Sequence, residues 1–335
     1  MAPDVLLRIA RAHEFRLFVV VLAIAAMISA ASPGFLTLQN FCDLLTSYAF
    51  SGILACGLLV VLISGKIDIS FTATASVAQY VAILIGNAHP DIGILGVLAI
   101  AVVIGLALGL VNAALVSFLG MSSIIVTIAT LNIYYGLLIV FSGGKHIFSL
   151  PAPLAEGFYR VFWTDAAGND YAINLQILAL VATFAVTAPL LRFTNLGRQI
   201  YAVGSNAEAA RRMGVSLFRI NLVVFGFMGV AAGLASIVQA QLAQTVMPMV
   251  LVGRELDVLA AVVLGGASIA GGTGTVTGTA LGVLLLAVIQ NGLILLGVPS
   301  YWSQFSTGVV IVTAVILIAL RASHGGRAQL AGARP

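Results

Sequence analysis

Apolar runs recur along this chain at near-regular intervals, each about as long as a bilayer's hydrocarbon core is thick. A helix rising 1.5 Å per residue needs about 20 residues to cross that core. Ten such runs are read, roughly 15–33, 44–64, 69–87, 92–117, 122–141, 174–192, 216–242, 256–270, 275–297 and 301–320, the eighth short and rich in glycine. Inside hydrocarbon every backbone N–H and C=O must be paired within the structure, which leaves helices or closed barrels. Runs of this length select helices. The expected fold is all-α: one polytopic transmembrane helical bundle over 1–335 with about ten helices. An eight-span arrangement with glycine-rich re-entrant segments is its main competitor. The chain is 61% hydrophobic and 8% charged, whereas soluble domains carry about 25% charged residues, so soluble alternatives fail.

Ten spans put both termini on one side. Arg8, Arg11, Arg16, Lys66, Arg192, Arg198, Arg211, Arg212, Arg219, Arg321, Arg327 and Arg334 then share that side, and only Lys145, Arg160 and Arg254 face the other. Cationic loops stay cytoplasmic. Both termini, the 193–215 loop and the 321–335 tail are therefore expected in the cytoplasm, and the turn-rich loop 142–173 outside. In that loop Phe158, Tyr159, Phe162, Trp163 and Tyr171 suit an interfacial aromatic belt or a docking surface. The small basic excess, 15 Lys+Arg against 11 Asp+Glu, fits such loops and needs no nucleic-acid partner. Ser29-Ala30-Ala31 faintly resembles a cleavage site, but the first run reads as a retained helix.

Several chemistries are excluded by what the residues lack. Cys42 and Cys56, on one helix, would lie ~21 Å apart, beyond disulfide reach. His13, His89, His146 and His324 scatter over predicted ends and loops. No His-Glu-x-x-His, Gly-x-Ser-x-Gly or paired intramembrane aspartates occur, so an intramembrane enzyme is not expected. The run Gly265–Thr275 is rich in glycine but lacks the lysine of a phosphate-binding loop. It reads as a tight connection at the membrane surface, and no cofactor or metal is expected on this chain.

The stretch Tyr201–Gly214, YAVGSNAEAARRMG, is polar and helix-forming between two apolar spans. Ser205 with Glu208 three residues on forms a capping box pattern. Ala207, Ala209 and Ala210 favour helix. Arg211 and Arg212 suit the C-terminal end of the helix dipole, and Gly214 suits a left-handed exit. Either this is an ordinary structured loop or it is a handle for another protein. Glu208-Ala209-Ala210 followed by Gly214 resembles the EAA loop of ABC-importer permeases. The longer run Gly197–Asn206 with Ala209-Ala210-Arg211 and Gly214-Val215 is similar to the ribose-type monosaccharide permeases. In that family this helix docks in a cleft of the cytoplasmic ATPase. The resemblance implies an ATPase-coupling role for Ser205, Asn206, Glu208, Ala209, Ala210, Arg211 and Gly214.

Ser64-Gly65-Lys66-Ile67-Asp68-Ile69-Ser70 adds to the resemblance. That family carries a Gly-Gly-Ile-Asp-Leu-Ser run here, although Lys66 replaces a usual glycine and Phe71-Thr72-Ala73 departs from Val-Gly-Ser. On chemistry alone, Asp68 is either a cap for the next helix or a functional intramembrane carboxylate. Uncharged polar residues also stud the spans: Gln79, Asn112, Thr127, Thr130, Asn132, Gln239, Gln241, Gln290 and Asn291. They suit helix–helix hydrogen bonds or a path for a polyhydroxylated solute. Candidate path residues are Asp68, Ser70, Asn112, Thr127, Asn132, Gln239 and Asn291. A faint likeness between VVLISGKIDIS (60–70) and VVLGGASIAGG (262–272) fits either an internal duplication or chance.

The resemblance covers about 15–320. It implies the permease subunit of a bacterial inner-membrane ABC importer for a monosaccharide or small polyol-like solute, working by alternating access. The implied partners are a cytoplasmic ATPase that uses ATP and Mg, a periplasmic sugar-binding protein and a second permease copy, identical or related. The competing reading is a self-sufficient carrier or channel. Scarce buried charge speaks against ion coupling.

Overall fold

The computed structural model describes residues 13–156, 159–164, 170–299 and part of 301–312. The tenth predicted run lies largely outside the described residues. The tail 321–335, Phe158 and the side chains of Tyr159, Phe162 and Tyr171 lie wholly outside them.

Long helices alternate up and down: α1 (His13–Ala31), α2 (Leu38–Ile63), α3 (Phe71–Ala88), α4 (Gly93–Leu119) and α5 (Ser123–Ser142). A one-turn α6 (Ala152–Glu156) and a hairpin of β1 (Tyr159–Thr164) and β2 (Asp170–Asn174) follow. Then come α7 (Leu175–Phe193), α8 (Asn195–Ser205), α9 (Ala207–Arg212), α10 (Leu217–Ala243), α11 (Arg254–Leu264) and α12 (Val276–Leu295). Among the described residues, eight helices are long and apolar enough to cross a membrane. The molecule is a polytopic helical bundle. The predicted eighth run does not span: it folds as α11, of 11 residues, or ~16 Å. Gly265 and Gly266 then end the helix in a turn, which breaks the apolar run before it is long enough. The turn-rich loop 142–173 is also more ordered than its composition suggests, because β1 and β2 pair antiparallel within it.

Burial sorts the helices into an inner and an outer set. In the best span window of α2, 78% of residues are buried, against 72% in α10 and 67% in α3. The segment Pro90–Leu119 is the most apolar, yet only 22% of its window is buried. In water this order would be reversed. A lipid-facing helix must be apolar outside, whereas an interior helix is free to carry hydroxyls and amides. Thr72, Thr74, Ser76 and Gln79 of α3 are all buried. Outer α4 is pinned to inner α10 by small residues. A Cβ on Gly105 would overlap the Gly229 carbonyl, and one on Gly229 would overlap the Gly105 carbonyl. The two backbones touch because neither helix has a side chain there.

Candidate functional site

Three stretches that stand out in the sequence, 64–70, 201–214 and 265–275, meet at one end of the bundle. Gly272 N–H donates to the Ile63 carbonyl at 2.9 Å, tying the exit of α11 to the end of α2. Gly204 of α8 presses onto the same carbonyl, which a Cβ would overlap. A Cβ on Gly271 would lie 2.6 Å from the Gly65 Cα. The Tyr201 hydroxyl donates to the Gly274 carbonyl at 2.7 Å, and burial pushes the Tyr201 phenol above its ordinary pKa. The turns that end α2 and α11 share one bond pattern. Lys66 N–H reaches Val61 and Gly65 N–H reaches Leu62; Ala267 N–H reaches Val262 and Gly266 N–H reaches Val263. Both are Schellman exits with glycine in the left-handed position. The faintly similar stretches 60–70 and 262–272 thus form matching turns, and the first turn packs against Gly271 and Gly272, just past the second.

The 201–214 stretch is two helices, with its cap one residue later than the sequence pattern suggests. Ser205 does not cap: it is the last residue of α8, and its hydroxyl donates to the Tyr201 carbonyl at 2.9 Å. Asn206 takes extended backbone and accepts from Ala209 N–H at 2.9 Å. The capping box therefore does not form. Ile200 and Val203 bury into the core, which holds α8 helical through Ser205 and shifts the cap to Asn206. The third helical position is then Ala209, which has no side chain to return the bond. Glu208 instead pairs with Arg211 at 3.5 Å and Arg212 at 3.3 Å. Gly214 takes the left-handed exit at φ +88°. Ala210 is buried, while Asn206, Glu208, Ala209, Arg211 and Gly214 are exposed. The result is a short polar helix held by one buried alanine on a glycine-packed seam.

The seven candidate path residues separate into groups. Asp68, Ser70 and Asn112 join in one buried network. Ser70 donates through N–H and Oγ to Asp68 at 2.8 and 2.7 Å, Asn112 Nδ2 donates to Ser70 Oγ at 2.7 Å, and the Tyr134 hydroxyl donates to Asn112 Oδ1 at 3.2 Å. Asp68 thus bonds the residue that precedes α3. Thr127 lies beside it and accepts from Ile69 N–H at 3.3 Å. Gln239 is buried in α10, its Oε1 unpartnered among the described residues. Asn291 exchanges two hydrogen bonds with Asn40, linking α12 to α2. Asn132 is exposed and donates to Ile128 of its own helix at 2.8 Å. The structure does not bring these seven together.

It does leave a half-open cavity of about 680 Å³ elsewhere, between α2, α11 and α12. Its polar lining is Ser47, Tyr48, Ser51, Arg254, Asp257, Gln290 and Tyr301. The Tyr48 hydroxyl donates to Gln290 Oε1 at 2.6 Å. Arg254 is not in an outer loop. Its guanidinium carbon sits 5.5 Å from the centroid of the Phe50 ring, and Phe50 is near the midpoint of α2, ~18 Å from Leu38 and ~20 Å from Ile63 along the axis. Neighbouring Glu255 is buried and accepts from Thr72 of α3. Sequence reasoning missed this constellation, although Gln290 stood among the polar span residues.

Comparison with known proteins sets these features in a lineage. Residues 40–315 match the family model described as branched-chain amino acid transport system / permease component. The ribose import permease protein RbsC of Escherichia coli K12 is 31% identical over 307 residues, 91% of this chain and 93% of that protein. The autoinducer 2 import system permease protein LsrC of Yersinia pseudotuberculosis is 33% identical over 297 residues, 88% of this chain and 82% of that protein. LsrC of Photorhabdus luminescens is 31% identical over 307 residues, 91% and 89% respectively. No solved structure matches the chain.

Proposed function

The chain belongs to this family of transport-system permease components, and on that premise we propose that it is the membrane subunit of an ATP-driven importer for a monosaccharide or related polyol-like solute. The solute class rests on the relatives, named for ribose and autoinducer 2 import, and on an interior rich in hydroxyls and amides. The single observation that carries the mechanism is the exposed, capped helix α9 on the glycine seam. In this reading 193–215 is a cytoplasmic coupling loop, both termini and the 321–335 tail are cytoplasmic, and 142–173 faces the periplasm across a bacterial inner membrane. A cytoplasmic ATPase grips Asn206, Glu208, Ala209, Arg211 and Gly214, with Ala210 as the buried anchor. That subunit binds ATP and Mg; this chain binds neither. A periplasmic binding protein delivers solute, and a second permease copy, identical or related, completes the pore.

Motion of α9 reaches the interior through contacts already described. Gly204 sits on the last carbonyl of α2, and Gly272 bonds the same carbonyl, so a push on α8–α9 moves α2 and the α11 exit together. Alternating access follows if the two positions of these helices bind solute differently, since a ligand shifts an equilibrium only by its differential affinity.

Affinity purification from native membranes tests the reading. A stoichiometric ATPase is expected to accompany the wild-type chain and to be lost with Gly214→Pro. Proline cannot adopt φ +88°, so the variant breaks the α9 exit without touching a span. A chain that purifies alone and moves solute in liposomes is a self-sufficient carrier and overturns the proposal.

A further inference from the structure

We infer that the cavity between α2, α11 and α12 is the chamber that holds the solute's hydroxyls during passage, with Arg254 and Asp257 as its principal ligands. This rests on the permease reading above and assigns a site within it. Four observations converge. First, ~300–1,000 Å³ is the usual size of small-molecule pockets, and this cavity of about 680 Å³ admits one sugar ring with water. Second, it lies beside the midpoint of an inner span, where ionisable residues are costly and mark function. Third, Arg254 and Asp257 act on each other through space but form no direct ion pair, so their hydrogen-bonding groups stay open to a ligand. Both ion pairs among the described residues involve Glu208, while Arg254 lies over Phe50. Fourth, Gly253, at the start of α11, lines the cavity and carries no side chain to fill it.

The chemistry selects a neutral polyhydroxylated solute. A carboxylate accepts from two neighbouring hydroxyls, and a guanidinium donates to ring and hydroxyl oxygens. Ser47, Tyr48, Ser51 and Gln290 add donors and acceptors that exchange partners as the solute moves. One cation and one anion give the lining no net charge, which disfavours a solute with net charge; a zwitterion matches such a pair as well, which makes it the discriminating comparator. Helix α11 supplies the charges but does not cross the bundle, so its N-terminus presents Arg254 and Asp257 at mid-depth.

The test is whole-cell uptake in the native host, with the chromosomal copy replaced by variants, using radiolabelled neutral pentoses and hexoses, with leucine as the zwitterionic comparator. Ser51→Trp fills the chamber and is expected to cut sugar uptake at least ~10-fold while the ATPase still co-purifies. Asp257→Asn and Arg254→Gln should each lower it ~10-fold or more, the scale of a lost charged hydrogen bond. Should Ser51→Trp fail to reach the membrane, Ser51→Cys in a Cys42→Ala background replaces it. A charged thiol reagent must then block uptake, and excess sugar must protect. Wild-type uptake of sugar with all these variants within about twofold of it, or an introduced thiol that resists the reagent, overturns the chamber and leaves the permease reading standing. Uptake of leucine but no sugar overturns the solute class. A wild-type chain without an ATPase overturns the permease reading itself.

Discussion

The seam and the chamber lie on the same helices and are built on opposite rules. At the seam, backbone meets backbone: Gly204, Gly271 and Gly272 leave no room for a methyl group, and the hydrogen bonds there run to main-chain carbonyls. At the chamber, about 20 Å along α2, polar side chains face open volume. A close-packed contact transmits displacement because it has no slack. An open polar pocket exchanges ligands because hydrogen bonds such as that from Tyr48 to Gln290 can be traded for bonds to a solute. One inner helix carries both, and the sequence marks them differently: glycine for the first, dispersed hydroxyls, amides and two charges for the second.

Substitutions at the seam should therefore cost folding, and the largest effect is expected from Gly204→Val. Its side chain overlaps the Ile63 carbonyl and is crowded by Gly272 N, and neither atom is the tip of a flexible side chain. A loss of roughly 3 kcal/mol or more is expected, seen as poor membrane accumulation and a much lower melting temperature in detergent. A Gly204→Val protein that melts like wild type would break the comparison. Smaller is the pair Asn206→Ala and Ser205→Ala. The first removes the observed cap and should cost about 1 kcal/mol. The second removes only a bond back into its own helix and should stay within about 0.5 kcal/mol. Thermal melts of both, run side by side, sharpen the assignment, and the reverse order would restore the capping box at Ser205. Smallest in stability is Tyr201→Phe. It removes one hydrogen bond to Gly274 at a half-buried site while keeping the ring in place, a loss of about 0.5 kcal/mol or less, so it should leave melting nearly unchanged while lowering uptake per transporter.

The spans were legible because an apolar run cannot hide: α2, α3, α4, α5, α7 and α10 begin and end within a few residues of where hydropathy alone puts them, α2 excepted at its start. The cap falls at Asn206, one residue past the Ser205 that the pattern picks out, because a tertiary contact extends α8. Nothing local reveals that Ile200 and Val203 reach the core. The chamber was illegible for a different reason. Its residues come from three distant stretches, and Arg254 read as a loop cation because the short helix after it looked like the start of a span. Gln290 and Asn291 show how fine the distinction is. They are adjacent in sequence, but a helix turns about 100° between them. One faces Tyr48 in the cavity, and the other pairs with Asn40.

The matching exits of α2 and α11 have a mechanical consequence. Two helices that finish in the same turn, joined by the Gly272–Ile63 bond, work like the legs of a compass hinged at one point. Neither leg slides at the hinge, so any opening between them grows with distance from it. Over the ~20 Å from Ile63 to the level of Phe50, a swing of about 6° moves the facing walls apart by ~2 Å, the scale on which packed helices shift in known transitions. Compass legs need no motor of their own, only a hand on the head, and α9 is where that hand would rest.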